Sequence, residues 1–246
     1  MIELENLGKR FQSLVALDRV SFLARDGSVT GLIGPNGAGK TTCLRLITTV
    51  MRPDQGRIVV DGLDAALDPI GVRRRLGVLA DARGLYPRLT AREHIRYFGQ
   101  LHGLSGRALE SRIETLIARL DMAEFIDRRA KGFSKGQAMK VALARALVHE
   151  PHNLLLDEPT NGLDLQAARA MRALIGELKA QGRCILFSSH IMSEVAALSD
   201  RLVILAKGRV AAQGTLAELA AQTGQESIEE IFLALTGERQ EQEANR

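Results

Sequence analysis

The chain has 246 residues, of which 46% are apolar and 25% are charged, with 33 Lys and Arg residues against 29 Asp and Glu residues. This ordinary composition excludes a largely disordered chain, and the length suffices for one large or two-lobed domain. The longest apolar runs, such as 202–206, are far shorter than the about 20 residues of a membrane-spanning helix. The net charge of +4 does not choose between a nucleic-acid partner, an anionic membrane surface and solubility alone.

The two cysteines, Cys43 and Cys184, lie far apart and outside any CxxC or similar metal-binding spacing. Such isolated cysteines disfavour a zinc site and predict small buried packing residues in a reducing compartment. The first five residues lack the basic and apolar regions of a secretory signal peptide. These features together favour the cytoplasm.

The first half of the chain predicts strands. Alternating apolar and polar residues over the first thirty positions predict short strands on a half-exposed sheet. The apolar run 29–33 predicts a strand that ends at a glycine-rich loop, and a helical pattern follows from Thr41. The segments 57–62 and 76–79 predict two further strands, each closed by turn residues.

A helical period replaces this pattern at Thr90, which forms a capping-box pair with Glu93. Apolar residues at helical spacing continue to about residue 150 without a predicted strand, so the stretch of about 85–150 is interpreted as a helical lobe.

Strands return after this lobe, separated by a helix over the apolar positions of 171–178. Continuous apolar strands that alternate with helices predict a parallel sheet covered on both faces. A short helix capped at Ser227 follows, and the polar tail 238–246 is predicted to fray. The predicted late strands are 154–156, 184–187, 202–206 and 209–212.

A phosphate-binding loop stands between the predicted strand 29–33 and the helix from Thr41, and it fits GxxxxGK[ST]. Glycines let backbone N–H groups surround phosphate oxygens, Lys40 reaches the β- and γ-phosphates, and the Thr41 hydroxyl holds Mg²⁺. The helix adds the positive end of its dipole to the same anion site. This motif predicts nucleoside triphosphate binding by Gly34, Pro35, Asn36, Gly37, Ala38, Gly39, Lys40 and Thr41.

Two adjacent carboxylates, Asp157 and Glu158, end the apolar strand 154–156. This position predicts Asp157 next to a phosphate-bound Mg²⁺ and Glu158 at the attacking water. Two acids at a strand end are equally typical of a solvated turn, so both interpretations stay open on this motif alone.

Three further motifs follow the order that is typical of one family. Together with the phosphate loop and the two acids, they make the chain resemble the nucleotide-binding subunits of ATP-binding cassette (ABC) transporters. This resemblance covers nearly the whole chain and implies one ABC ATPase domain over 1–237. It implies an α/β P-loop NTPase fold with a RecA-like parallel-sheet core, an N-terminal antiparallel β subdomain and an inserted α-helical subdomain. The motifs are Walker A (34–42), the signature Phe133-Ser134-Lys135-Gly136-Gln137, Walker B (154–158), the D-loop Asn161-Gly162-Leu163-Asp164 and the switch residue His190.

The resemblance implies a role for each matching residue. Lys40, Thr41 and Thr42 contact the phosphates and Mg²⁺, and Asp157 contacts the metal. Glu158 acts on the attacking water, which His190 orients from the γ-phosphate side. The remaining assignments are Phe11, which stacks on adenine unless it is a core residue, and Ser134, Gly136 and Gln137, which close on ATP bound to a second subunit.

Two residues depart from the family pattern. Asp81 stands where the family usually has Gln, and a carboxylate there strengthens metal contact while adding negative charge beside the γ-phosphate. A solvated turn acid is the alternative for Asp81. Lys135 replaces the first signature glycine, which restricts the backbone and brings a cation near the phosphates.

The segments 82–93 and 227–237 resemble the branch that powers ABC-2 type exporters, including sodium-efflux and drug-resistance ATPases. The resemblance implies ATP and Mg²⁺ as cofactors and a membrane-spanning permease and a second nucleotide-binding subunit as partners. The permease is expected to contact the surface near 81–97. We expect a peripheral location on the cytoplasmic face of the cell membrane, beside anionic lipid and without nucleic acid. A soluble ABC ATPase that drives cofactor or complex assembly is the alternative.

Overall fold

The computed structural model describes residues 1–80 and 84–236. No helix within these ranges is both long and apolar enough to cross a bilayer. The strands are β1 (Ile2–Phe11), β2 (Leu14–Ala24), β3 (Val29–Ile33), β4 (Gln55–Val60), β5 (Leu63–Asp64), β6 (Leu76–Leu79), β7 (Asn153–Asp157), β8 (Cys184–Ser188), β9 (Arg201–Ala206) and β10 (Arg209–Gly214). The helices are α1 (Lys40–Ile47), α2 (Pro69–Arg75), α3 (Ala91–Leu101), α4 (Gly106–Arg119), α5 (Lys135–Leu147), α6 (Leu165–Ala180), α7 (Met192–Leu198), α8 (Leu216–Thr223) and α9 (Ile228–Thr236).

The N-terminal strands form an antiparallel sheet in the order β2-β1-β4-β5, as the fold prediction required. The prediction of short strands is wrong, because β1 and β2 run for 10 and 11 residues. Their register shifts at several points, and Asn6 and Arg19 adopt positive φ angles of 47° and 52°. These irregularities interrupt the apolar alternation, so each long strand resembles two short ones in sequence.

The core sheet has the order β10-β9-β3-β8-β7-β6, in which β10 alone pairs antiparallel. Asp157 at the end of β7 pairs in register with Ser188 at the end of β8, and β3 pairs with β8 on its other side. Carboxyl ends of parallel strands meet at one edge of a sheet, where α/β proteins bind their ligands. The phosphate loop after β3, the acids after β7 and His190 after β8 therefore share that edge.

Apolar side chains bury both faces of the core sheet. One buried cluster joins Leu32, Leu155 and Leu186 to the antiparallel sheet, and the other joins the opposite face to the helices. Cys43 and Cys184 are free and fully buried in the first cluster, as predicted. Burial raises the pKa of the Cys43 thiol to about 12, so this thiol stays protonated.

Helix α3 begins at its predicted capping box. The Thr90 hydroxyl accepts the Glu93 N–H at 3.1 Å, and the Glu93 carboxylate accepts the Thr90 N–H at 2.7 Å. Apolar residues of these helices belong to the same buried cluster as one face of the core sheet. The boundaries of a separate helical lobe and of a 1–237 domain stay predictions.

Three helices, α2, α7 and α8, were not predicted. Asp68 caps α2 by accepting the Gly71 N–H at 2.8 Å, and Pro69 occupies its first turn. Thr215 and Glu218 form a full capping box at α8. Asp-Pro and Thr-x-x-Glu are recognisable start signals, but each helix has at most eight residues, too few for a clear helical period.

Candidate functional site

A cleft of about 520 Å³ opens at the carboxyl edge of the core sheet. This volume lies in the range of small-molecule sites, about 300–1,000 Å³. The cleft joins residues from the β1–β2 turn, the phosphate loop, the end of β7 and the loop after β8. They are Phe11, Leu14, Val15, Ala16, Pro35, Asn36, Gly37, Gly39, Lys40, Thr41, Thr42, Asp157, Glu158, Asn161 and His190.

The phosphate loop wraps the start of α1. Gly39 precedes the helix with φ of 107°, and a Cβ there would lie 2.8 Å from the Ala16 carbonyl oxygen, so this position requires glycine. Gly34 and Ala38 are buried and do not line the cleft, so nucleotide binding by these two residues stays a prediction. The other residues of the loop line the cleft.

Lys40 is 9% exposed, and its ammonium donates to the carbonyl oxygens of Gly34 and Pro35. Burial lowers the pKa of this ammonium, while the carboxylates of Glu158 and Asp157 act in the opposite direction. A desolvated cation at the start of a helix, facing two acids across a cleft, is suited to a polyanion that carries its own metal ion.

Asp157 and Glu158 are fixed by Ser188 of the neighbouring strand. The Ser188 hydroxyl donates to the Asp157 carboxylate, and the Ser188 carbonyl accepts the Glu158 N–H at 3.0 Å. Glu158 adopts the left-handed backbone region at φ of 49°, which is uncommon outside glycine and is often found at functional sites. Its side chain is 15% exposed inside the cleft, so the solvated-turn interpretation is wrong for Glu158.

His190 lies against Glu158. Its Nδ1 is 2.9 Å from the Glu158 Oε2, although the two residues are 32 positions apart. The imidazole is 54% exposed and faces the cleft rather than the core. The imidazole is therefore accessible to a ligand in the cleft.

Phe11 ends β1 at the mouth of the cleft. It is 43% exposed, so the alternative of a core phenylalanine is wrong. The Lys9 ammonium lies 5.7 Å from the ring centroid, within cation–π range. Leu14 and Val15, which the sequence did not single out, extend this exposed apolar ledge. The one sequence feature that could have indicated Leu14 and Val15 is their apolar character beside a turn, where residues are usually polar.

The signature residues do not line this cleft. Ser134 is the N-cap of α5 and forms a capping box with Gln137, each accepting the other's N–H at 3.1 Å. Ser134 is exposed, and Lys135 extends over the D-loop, where a Cβ on Gly162 would lie 3.2 Å from the Lys135 Cδ. Asp81 lies outside the described residues, so the metal prediction for it is untested.

A second cleft of about 420 Å³ lies between α2, β6, α3 and α5, and we call it the α2–α3 groove. The Arg145 guanidinium stacks 3.9 Å from the Phe98 ring centroid, and the His102 and His149 rings stack 3.5 Å apart. Burial lowers the pKa of His149 to about 4. The lining combines basic and apolar side chains, without an acid among them: Thr48, Ile70, Arg73, Arg74, Leu76, Val78, Phe98, Leu101, His102, Arg145, Ala146 and His149.

The nucleotide cleft defines the class of protein. A glycine-rich loop before a helix, with Lys40 and Thr41 facing Asp157 and Glu158 at strand ends, is the site of a P-loop nucleoside triphosphatase.

Comparisons with known proteins then give the family. The model of the ABC transporter family matches residues 17–161. The chain is 44% identical to the ABC transporter ATP-binding protein NatA of Bacillus subtilis, over 95% of this chain and 97% of that protein. It is 36% identical to the daunorubicin resistance ATP-binding protein DrrA3 of Streptomyces coeruleorubidus, over 94% and 73%. It is 37% identical to the Nod factor export ATP-binding protein I of Burkholderia lata, over 87% and 70%.

Solved structures agree. The ATP-binding subunit of an ABC transporter superposes with a TM-score of 0.89 at 34% identity, over 96% of this chain and 99% of that one. A dimeric cassette in a post-hydrolysis state, bound to ADP and phosphate, gives 0.79 at 25% identity, over 87% and 98%. The chain therefore belongs to the ABC transporter family and is an ATP-binding, ATP-hydrolysing subunit with the predicted fold class.

Proposed function

We propose that this chain binds Mg-ATP in the nucleotide cleft and hydrolyses it to drive export through a separate membrane permease. One observation carries the proposal: Lys40, Asp157, Glu158 and His190 meet in a single cleft, with His190 2.9 Å from Glu158. Export, rather than import, is supported by relatives named for drug resistance and for Nod factor export.

The adenine base stacks on Phe11, because an exposed aromatic ring beside Leu14 and Val15 offers an apolar face at the end of the cleft. The triphosphate lies along the phosphate loop, where Lys40 exchanges its two loop carbonyls for phosphate oxygens. Thr41 and Thr42 add hydroxyl groups to the same side.

Magnesium fits the donors at the metal end of the cleft. The Thr41 hydroxyl and the Asp157 carboxylate are oxygen ligands of the kind Mg²⁺ prefers. When bound, the ion neutralises charge on the β- and γ-phosphates. We propose Asp81 as a further Mg²⁺ ligand. If the Mg²⁺ dependence and turnover of Asp81→Ala match those of the parent, Asp81 is not a ligand.

Hydrolysis depends on positioning and charge stabilisation. The Glu158 carboxylate accepts a hydrogen bond from the attacking water, and His190 contacts the γ-phosphate while it stays against Glu158. Two hydrogen bonds hold the acids in place: the Ser188 hydroxyl donates to the Asp157 carboxylate, and the Glu158 N–H donates to the Ser188 carbonyl.

A second subunit completes the site, since Ser134, Gly136 and Gln137 lie outside the cleft of their own chain. The start of α5 offers a hydroxyl group, a backbone N–H and a helix dipole to ATP held by the partner. Mixing tests this arrangement. A Lys40→Ala chain and a Ser134→Arg chain, each inactive alone, are expected to recover hydrolysis together, because one composite site is then intact.

The permease docks in the α2–α3 groove and on the neighbouring side chains Tyr86 and Tyr97. Leu101 is 63% exposed at this groove, and Ile70 and Val78 are exposed beside it. The basic lining favours a permease segment that carries carboxylates next to apolar residues.

We further propose that the chain lies at the cytoplasmic face of the membrane. Three consecutive exposed arginines, Arg73, Arg74 and Arg75, end α2 next to the groove. Such a cluster attracts anionic lipid headgroups by about 1 kcal/mol per charge near the surface. Sedimentation with phosphatidylglycerol vesicles, at low and high salt, measures this contribution without a permease.

Purification from membranes tests the export proposal as a whole. The tagged chain is expected to co-purify with an apolar membrane protein, and ATP turnover of that complex is expected to respond to the transported molecule. A purely cytosolic complex without a membrane partner would instead support the assembly ATPase.

A further inference from the structure

A hydrogen bond joins the loop of Glu158 to the helix after His190. The Thr160 hydroxyl donates to the Glu194 carboxylate. Thr160 is 6% exposed, and it follows Glu158 by two residues. Glu194 lies in the first turn of α7, four residues after His190. This bond lies beside the contact between His190 and Glu158, and we call it the Thr160–Glu194 brace.

Each end of the brace lies in a hydrogen-bonded turn next to one of the two catalytic residues. On one side, the Asn161 N–H donates to the Glu158 carbonyl at 3.1 Å and closes the loop around Thr160. On the other side, the Glu194 N–H donates to the Ile191 carbonyl at 3.1 Å, and the Ile191 N–H donates to the Ser189 hydroxyl at 3.1 Å. We therefore expect a shift at either end of the brace to change the position of the turn next to Glu158 or His190.

The helix that carries Glu194 is itself fixed. Val195 is fully buried and packs on β3, so closely that a Cβ on Gly31 would lie 2.7 Å from its Cγ1. Glu194 therefore stands on a support that belongs to the core sheet. The Glu158 backbone, in contrast, has the uncommon left-handed conformation, which persists only when its surroundings hold it.

We propose that Thr160 and Glu194 are positioning residues that hold His190 against Glu158 for hydrolysis. This inference rests on the proposed function, in which those two side chains act at the γ-phosphate. Neither Thr160 nor Glu194 lines the nucleotide cleft, so we expect loss of the brace to leave ATP affinity unchanged and to lower only the rate of the chemical step. A misplacement of about 1 Å costs up to about a hundredfold in rate.

Thr160→Val and Thr160→Ser in the full-length chain separate the hydroxyl from the rest of the side chain. We expect Thr160→Val to lower kcat for Mg-ATP by about tenfold or more while KM and direct ATP binding stay within about twofold. Thr160→Ser retains the hydroxyl, and we expect it to restore kcat to within about threefold of the parent. Glu194→Gln keeps an acceptor and should resemble Thr160→Ser, whereas Glu194→Ala should resemble Thr160→Val.

Thr115→Val is the matched control, because it also removes a hydroxyl from a hydrogen bond, to the Ser111 carbonyl, but on an exposed face of α4. We expect it to leave kcat and KM unchanged. A kcat for Thr160→Val within twofold of the parent overturns the proposal. An equal loss in Thr160→Ser also overturns it, because the hydroxyl would then not be responsible.

A measurement without turnover separates this inference from the proposed function. NMR spectra of the histidine side chains report on His190, whose resonances are assigned by their loss in His190→Gln. We expect Thr160→Val to change the chemical shifts of His190 and Thr115→Val to leave them unchanged. If the parent hydrolyses no ATP, the proposed function is wrong, but the NMR comparison still tests whether the brace positions His190. Unmoved His190 resonances contradict the brace whether or not the parent is active.

Discussion

The nucleotide cleft and the α2–α3 groove are similar in size, about 520 and 420 Å³, but they are built in opposite ways. The nucleotide cleft takes its groups from short contiguous motifs at one sheet edge and combines a lysine with acids. The groove combines basic and apolar side chains from helices and a strand that carry no recognisable motif. The difference fits the proposed function, in which ATP is hydrolysed in the nucleotide cleft and the permease docks in the groove.

The largest effect is expected at Lys40. Lys40→Ala removes the desolvated cation of the phosphate loop, so we expect hydrolysis to fall by at least about a hundredfold and ATP binding to weaken. Membrane co-purification should be retained, because the groove is intact. Lys140→Ala, at a half-buried lysine outside the cleft that pairs with Asp121, is the control. Parental turnover in Lys40→Ala would contradict the assignment of ATP hydrolysis to the nucleotide cleft.

Phe11→Ala is expected to raise KM for ATP by about tenfold with little change in kcat. Base–aromatic stacking contributes about 1–3 kcal/mol, and it is equal in the ground state and the transition state. Phe11→Trp should keep the parental KM. Steady-state kinetics over a range of ATP concentrations measure both constants, and an unchanged KM in Phe11→Ala removes the ring from the site.

Leu101→Asp tests the groove. Placing a charge on this exposed apolar side chain should weaken permease docking by about tenfold, because the charge must be desolvated at the interface. Basal hydrolysis by the free chain should not change. Leu67→Asp, at a more exposed leucine that does not line the groove, is the matched control. Equal loss of docking in both variants would show that the groove is not the docking site.

The smallest effect concerns pH. Burial lowers the pKa of His149 to about 4, against about 6.5 for a free imidazole. Between these values the unfolded chain binds more protons, so the free energy of unfolding falls as pH is lowered from 6.5 towards 4. After allowance for solvent screening in an open groove, the change is about 1 kcal/mol, or about 2–4 °C in Tm.

Thermal unfolding at several pH values between 4 and 7 measures this effect in the parent and in His149→Gln. The variant should show a smaller loss of Tm on acidification, because its side chain binds no proton. Identical pH profiles would mean that the buried imidazole does not contribute. Parental turnover at pH 7 in this variant would also show that the groove and the nucleotide cleft are independent.

The sequence predicted the nucleotide cleft well because its chemistry is local. The phosphate loop, Asp157 and Glu158 occur in contiguous motifs at predicted strand ends, and parallel strands bring such ends together. The motif does not show which loop residues are buried, and Gly34 and Ala38 are the two that do not line the cleft. Leu14 and Val15 were missed, since an exposed apolar turn has no motif.

The groove could not be predicted in the same way. It depends on α2, a helix of seven residues that lacks a clear period, and on the packing of α5 against β6 and α3. The stacked pair His102 and His149 is 47 residues apart in sequence and meets only in the folded chain. The Thr160–Glu194 brace could not be predicted either, because its two residues also meet only in the folded chain.

Turnover of Mg-ATP by the parent and by Glu158→Gln, measured side by side with ATP binding, tests the central claim most directly. The substitution keeps the size of the side chain but removes the carboxylate that lies against His190 and that we propose as the acceptor for the attacking water. We predict that ATP binding is retained while hydrolysis falls by at least about a hundredfold. Unchanged hydrolysis in Glu158→Gln would contradict the account, because the chemistry would then lie elsewhere.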